Sequence, residues 1–105
     1  MPKLDSTRYT FASRVEVKVN RLPGVLTDLS VGGCGVRTAA PLETGQSVRN
    51  HLPGEPTPLL CLGDIVWVQK EPKSGKTPAG VRAGIQFTQA DEAALEAFII
   101  MRGDV

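Results

Sequence analysis

The chain has 105 residues, with 12 Lys+Arg against 11 Asp+Glu and a formal charge of +1; so balanced a surface lacks the field that would hold a long polyanion, which argues against a duplex-DNA binder. Hydrophobic residues at 41% and charged residues at 22% are ordinary for a globular domain, and the length predicts one domain with one core. No apolar stretch approaches the roughly 20 residues of a bilayer span, and Met1-Pro2-Lys3-Leu4-Asp5-Ser6-Thr7-Arg8 lacks the apolar segment of a secretory signal, so a cytoplasmic location without membrane insertion is expected.

Gly (11) and Pro (8) punctuate the chain closely, which favours many short strands over a helical bundle. Residues 1–10 read as a flexible N-terminal arm, and residues 11–102 as a single domain. Phe11 to Asn20 is the clearest strand: Val15, Val17 and Val19 alternate with Arg14, Glu16, Lys18 and Asn20, and Phe11 and Ser13 continue the inward parity. Arg21-Leu22-Pro23-Gly24 reads as a turn with Pro and Gly at its centre. Val25 to Ser30 is then the hairpin partner of the first strand. Val31-Gly32-Gly33 breaks it, and Cys34 to Thr38 resumes. Pro41 to Gly45 is a loop, Gln46 to Leu52 a fourth strand, and residues 53–58 are irregular. Leu59 to Gln69 is a long apolar strand, Lys70 to Ala79 a polar loop, and Val81 to Phe87 the last strand. Thr88-Gln89-Ala90-Asp91 has the spacing of a capping box. Ala94, Leu95, Phe98 and Ile99 follow on one helical face, and Gly103 is the stop. Six strands and one terminal helix predict a mainly β fold, an antiparallel six-stranded β-barrel with a C-terminal α-helix packed on it.

Little in the chain reads as catalytic. Asp28, Asp64 and Glu92 have no partner of the right kind, and no Ser–His–Asp order or metal cluster is visible. One histidine, His51, and two distant cysteines are a poor metal set, and His51 reads as a surface loop residue. Lys73-Ser74-Gly75-Lys76-Thr77 mimics the end of a phosphate-binding loop, but lacks its first glycine and a following helix. The expectation is a protein that is not an enzyme and has neither cofactor nor metal. Cys34 and Cys61 are expected to be buried, reduced thiols, with a Cys34–Cys61 disulfide as the alternative.

The most informative segment is Asp28-Leu29-Ser30-Val31-Gly32-Gly33. Asp28 and Ser30 are two apart on a strand, so both side chains emerge on one face. The glycines let a ligand or another backbone come close. A carboxylate can accept from the N–H edge of a guanine, and a hydroxyl can bond phosphate or a base edge. The same residues would also make a plain turn, with Asp and Ser bonding local backbone. Trp67, the only tryptophan, is either a half-buried barrel residue or a stacking surface. Arg37 and Arg82 have outward parity and could extend a basic patch or simply be solvated.

These residues carry a resemblance. Asp28, Ser30 and Gly33 match the Asp/Asn-x-Ser-x-x-Gly signature of the PilZ domain family of bacterial cyclic di-GMP effectors. Arg8-Tyr9-Thr10-Phe11 resembles the lead into that family's first strand. Gly63-Asp64-Ile65-Val66-Trp67 is similar to its Gly-x-Val-x-Trp strand, and Ala83-Gly84-Ile85-Gln86-Phe87 to its closing strand. The family's other signature, Arg-x-x-x-Arg, is incomplete: Arg8 takes the second place and Leu4 the first, with Lys3 beside it. Placing the second arginine at Arg14 instead puts Thr10 in the first. Lysine offers a point charge where arginine offers a fork, so the missing contact would weaken binding by about 1.5–3 kcal/mol.

The resemblance implies a stand-alone cyclic di-GMP receptor that signals by contacting a partner protein, with Arg8, Asp28, Ser30, Gly33, Lys3 and Trp67 at the ligand. The alternative is a degenerate adaptor that binds no nucleotide and regulates motility or secretion machinery through protein contacts.

Overall fold

A computed structural model describes residues 8–12, 14–54, 57–76 and 79–104. Its elements are β1 (Thr10–Phe11), β2 (Val15–Val19), β3 (Leu22–Ser30), β4 (Gly33–Thr38), β5 (Ser47–Leu52), β6 (Leu59–Glu71), β7 (Gly80–Gln89), α1 (Glu92–Arg102) and β8 (Gly103–Asp104). Strands β2 to β7 close an antiparallel barrel in the order β2-β3-β4-β7-β6-β5, and β1 and β8 form a separate two-stranded sheet. The six-stranded barrel with a C-terminal helix is therefore as expected. Closure removes the exposed strand edges that would otherwise pair with other chains.

Period-two alternation fills the barrel. Val15, Val17 and Val19 from β2, Cys34 and Val36 from β4, and Ala83 and Ile85 from β7 all lie in one buried cluster with Ile65 and Cys61 of β6. Ser30, Thr38 and Asn50 are buried polar residues among the described ones; Asn50 Nδ2 donates to the Cys61 carbonyl at 3.0 Å. Helix α1 buries Leu95, Phe98 and Ile99 against the barrel and packs against β3. Both cysteines are buried and free, not disulfide-bonded. No helix among the described residues is long and apolar enough to cross a membrane.

Four local expectations are corrected. The first strand divides: β1 leaves the barrel to pair with β8, and β2 begins at Val15; Ser13 lies outside the described residues. The first hairpin turns at Asn20 and Arg21, with φ of 51° and 72°, rather than at Pro23-Gly24. A two-residue loop with positive φ at both positions matches the right-handed twist of the strands it joins, and asparagine tolerates that region best among non-glycines. Asn20 Oδ1 also accepts from the Arg49 backbone N–H at 2.8 Å, which pins the tip to β5. Pro23 and Gly24 then lie inside β3, and Pro23 sits just past the β4 ladder, which begins at Gly24↔Thr38. The helix is capped by Asp91, whose Oδ1 accepts from Ala94 N at 3.1 Å; the Thr88 hydroxyl is turned to the Leu62 carbonyl instead. His51, expected on a surface loop, is on β5.

Residues 8–11 are tied to the barrel. Tyr9 and Leu29 exchange two backbone hydrogen bonds of 2.9 Å, β1 pairs with β8 after the helix, and Phe11 meets Phe98 edge-on with ring centroids 5.8 Å apart. Tyr9, Thr10 and Phe11, at the end of the expected arm, thus contact the barrel and β8. Lys3 and Leu4 lie outside the described residues.

Candidate functional site

The site begins with two β-bulges. On β3, Leu26 pairs with Val36 and Asp28 with Gly35, leaving Thr27 as an extra residue. On β6, Ile65 pairs with Ile85 and Trp67 with Gly84, leaving Val66 as the extra one. A bulge sets two residues against one and re-aims side chains. Here it lets Leu26 and Leu29, three apart, both enter the core, while Thr27 and Asp28 lie together over Gly35. It also leaves Val66 and Trp67 both exposed.

Between the bulges lie two glycines that face each other in register, Gly35 on β4 and Gly84 on β7. Their neighbours in sequence, Cys34, Val36, Ala83 and Ile85, are core residues, so both glycines face outward. A Cβ at Gly35 would come within 2.5 Å of the Thr27 hydroxyl and 2.7 Å of Asp28 Oδ2, and a Cβ at Gly84 would overlap the Trp67 indole. The result is a seam across four strands, Asp28–Gly35–Gly84–Trp67, in which the two glycines are themselves buried beneath Thr27, Asp28 and the indole. A carboxylate lies flat at one end and an indole, 42% exposed, at the other.

Arg8 completes the acidic end. Its Nη1 donates to Asp28 Oδ1 at 2.5 Å, and Thr27 Oγ1 donates to Asp28 Oδ2 at 3.2 Å. The chain separation is 20 residues; the backbone bridge at Tyr9–Leu29 brings the two together. Arg8 is exposed and Asp28 half-buried; with one partner in water the pair contributes on the order of 1 kcal/mol and can be exchanged for other contacts.

Ser30 is buried, and its hydroxyl donates to the Gly33 carbonyl at 3.3 Å, closing the β3–β4 turn. Gly33 is buried too, and a Cβ there would strike the Ile85 carbonyl; its lack of a side chain lets β7 approach β4. Of the expected site residues the fold therefore gathers Arg8, Asp28 and Trp67 on the seam and sets Ser30 and Gly33 in the adjoining turn. Gly35 is not singled out in the sequence, and Gly84 only as part of the closing-strand resemblance. Each stood in the sequence as an ordinary strand glycine, and only register places them opposite one another.

Beneath the seam the Cys34 thiol is held well above its ordinary pKa, mainly by burial, then by Cys61 and Asp28, with Arg8 acting the other way. Burial pushes the Cys61 thiol up to about 12. Both therefore stay protonated and unreactive near neutrality. Among the described residues, no group of three or more His, Cys, Asp or Glu is placed to hold a metal ion.

A deeper cleft lies elsewhere, beside β2. About 780 Å3 in volume, it is lined by residues that include Arg14, Glu16, Lys18, Arg37, His51 and Glu71. It contains neither Asp28 nor Trp67. Its charges are of both signs and partly satisfied, as in the 2.8 Å pair of Arg37 Nε with Glu71 Oε1.

The PilZ domain model matches residues 5–100. No curated protein matches the chain in sequence. Among solved structures, the fold is similar to the PilZ domain with c-di-GMP of YcgR from Escherichia coli, with TM-score 0.71, 19% identity, and coverage of 90% of this chain and 86% of that one. YcgR in complex with c-di-GMP, from the same organism, gives 0.68 at 17% identity over 90% of this chain and 43% of that one. The Bacillus subtilis inhibitor of motility, MotI/DgrA, gives 0.65 at 17% identity over 89% and 48%. This chain thus spans less than half the length of the two longer structures, and at these identities the likeness is one of fold.

Proposed function

The chain belongs to the PilZ domain family, and from that premise we propose that it is a cyclic di-GMP receptor whose ligand lies on the Asp28–Trp67 seam and whose output is a protein contact. The observation that carries the reading is the Arg8–Asp28 pair, which sets an arm cation and the acidic corner against each other before any ligand arrives. A guanine offers two N–H donors to a carboxylate and an O6/N7 edge to a guanidinium fork. The pair can be exchanged for those contacts. The indole of Trp67 is a face on which a base can stack, and stacking of this kind contributes about 1–3 kcal/mol. Ser30 and Gly33 hold the turn that positions Asp28, and Lys3 would add a second arm cation.

The arm also supplies a route to a partner. Arg8 sits one residue before the Tyr9–Leu29 bridge, and β1 continues directly into its pairing with β8 at the end of α1. Arg102 lies over the Phe98 ring at 5.1 Å, and that ring meets Phe11. A shift of Arg8 toward ligand therefore pulls on the end of the helix, where Ile100 and Met101 are 77% and 83% exposed.

Isothermal titration with cyclic di-GMP tests the reading. Micromolar binding is expected, lost or weakened more than tenfold in Arg8→Ala and Asp28→Ala. No heat at high micromolar ligand would remove the receptor, and binding untouched by either substitution would put the site elsewhere. The rival, an adaptor that binds no nucleotide, draws support from Ser30, whose hydroxyl is buried in its own turn, and from leucine at position 4. It expects a partner to be held equally with and without the nucleotide.

A further inference from the structure

The outer row next to the glycine seam runs Arg37 on β4, Arg82 on β7 and Gln69 on β6, in register. Two arginines directly opposite one another on adjacent strands repel. Arg37 is answered by Glu71 at 2.8 Å. Arg82 is not: among the described residues its guanidinium has no ion pair, and its Nε is buried with no hydrogen-bond partner. A buried donor left unpaired on a cation is an unfavourable arrangement unless something outside the chain answers it. Gln69, its register partner on the other side, brings no charge.

Arg82 also lies where an answer could come from. Two residues along β7 is Gly84, beneath the Trp67 indole, and residues two apart on a strand lie about 6.6 Å from each other on the same face. Arg82 is thus at the edge of the surface on which a stacked base would rest. A cyclic dinucleotide carries two phosphates, and Arg8 at the far end of the seam can serve only one side of the ring.

We infer that Arg82 is a second cationic contact for the ligand, its guanidinium taking a phosphate oxygen beside Trp67, with the Arg37–Glu71 pair as the positioning group that leaves Arg82 as the unanswered charge of the row. This inference rests on the receptor reading above and adds to it a residue on the sheet rather than on the arm. The anion would relieve the repulsion from Arg37.

The test is titration of cyclic di-GMP into the wild-type chain, Arg82→Gln, Arg82→Lys and the exposed control Lys70→Gln, at low and high salt, with thermal melting of each unliganded protein. The expected result is a loss of tenfold or more in Arg82→Gln, with a flatter salt dependence, a smaller loss in Arg82→Lys, which keeps the charge but not the fork, and no change in Lys70→Gln. Melting of unliganded Arg82→Gln should be unchanged or higher, which separates lost binding from lost folding. Should Arg82→Gln fold poorly, the Arg82→Lys affinity and the wild-type salt slope carry the test. Wild-type binding that Arg82→Gln and Arg82→Lys leave intact overturns this inference alone. Absence of binding by the wild-type chain overturns the receptor reading, and this inference with it.

Discussion

The seam over Gly35 and Gly84 and the cleft beside β2 lie on one small barrel and meet at Arg37, yet they are built in opposite ways. The cleft has volume, about 780 Å3, and acids and bases of both signs around it. The seam is shallow, but two bulges and two glycines lay a carboxylate and an indole directly on the glycine backbone, which they bury, with one cation poised at Asp28 and another unanswered at Arg82. Concavity alone would choose the cleft. Side-chain chemistry chooses the seam, because recognition of a planar, anionic ligand needs a stacking face, donors and acceptors in fixed places more than it needs depth.

The two regions should break differently. Gly33→Ala, at the turn beside the seam, forces a methyl against the Ile85 carbonyl and parts β4 from β7; a loss of about 3 kcal/mol is expected from overpacking against backbone. Gly24→Ala, in the cleft, meets Arg37 O at 3.2 Å and should lose less than about 1 kcal/mol. Urea midpoints compare the two, and equal losses would contradict the contrast.

Alkali should act through the core under the seam. Both thiols have folded pKa values raised above the ordinary value of about 8.5. Their neutral burial therefore contributes in full below that pH, and the contribution is lost as pH rises toward the folded values, because only the unfolded chain releases the protons. The slope reaches about 1.4 kcal/mol per pH unit for each thiol. Stability by denaturant titration between pH 8.5 and 10.5 should fall accordingly, and the fall should be halved in Cys34→Ala.

Gly35→Ala is gentler on folding, since its methyl meets the ends of the Thr27 and Asp28 side chains. About 1 kcal/mol of stability should go, together with tenfold or more in cyclic di-GMP affinity as the carboxylate is lifted. Lys18→Ala in the cleft should leave that affinity unchanged. The smallest effect belongs to the hairpin tip. Arg21 carries a φ of 72°, which glycine adopts without strain, so Arg21→Gly should raise stability by about 0.5–1 kcal/mol without touching ligand binding.

The strands and helix were legible because burial imposes a period, as at Val15, Val17 and Val19 or Leu95, Phe98 and Ile99. The hairpin tip was misread because Pro23-Gly24 is a louder signal than Asn20-Arg21, although twist favours the two-residue loop. The Asp28–Ser30–Gly33 segment stood out in the sequence, but its geometry did not. Strict alternation cannot express the bulge that sets Thr27 and Asp28 side by side, and the bond of the Ser30 hydroxyl to the Gly33 carbonyl is a matter of turn geometry. The pairing of Gly35 with Gly84 is a matter of register between strands almost fifty residues apart in the chain, and no local pattern carries it. Arg82 was visible as an outward arginine; that its Nε lacks a partner is a fact of packing alone.

The most direct measurement is a titration of cyclic di-GMP into the isotope-labelled chain, followed residue by residue through backbone amide and indole N–H resonances. Shifts should concentrate at Asp28, Gly35, Gly84 and the Trp67 indole, and should leave Lys18 and His51 still. Shifts gathered in the β2 cleft, or none at saturating nucleotide, would contradict the placing of the ligand on the seam.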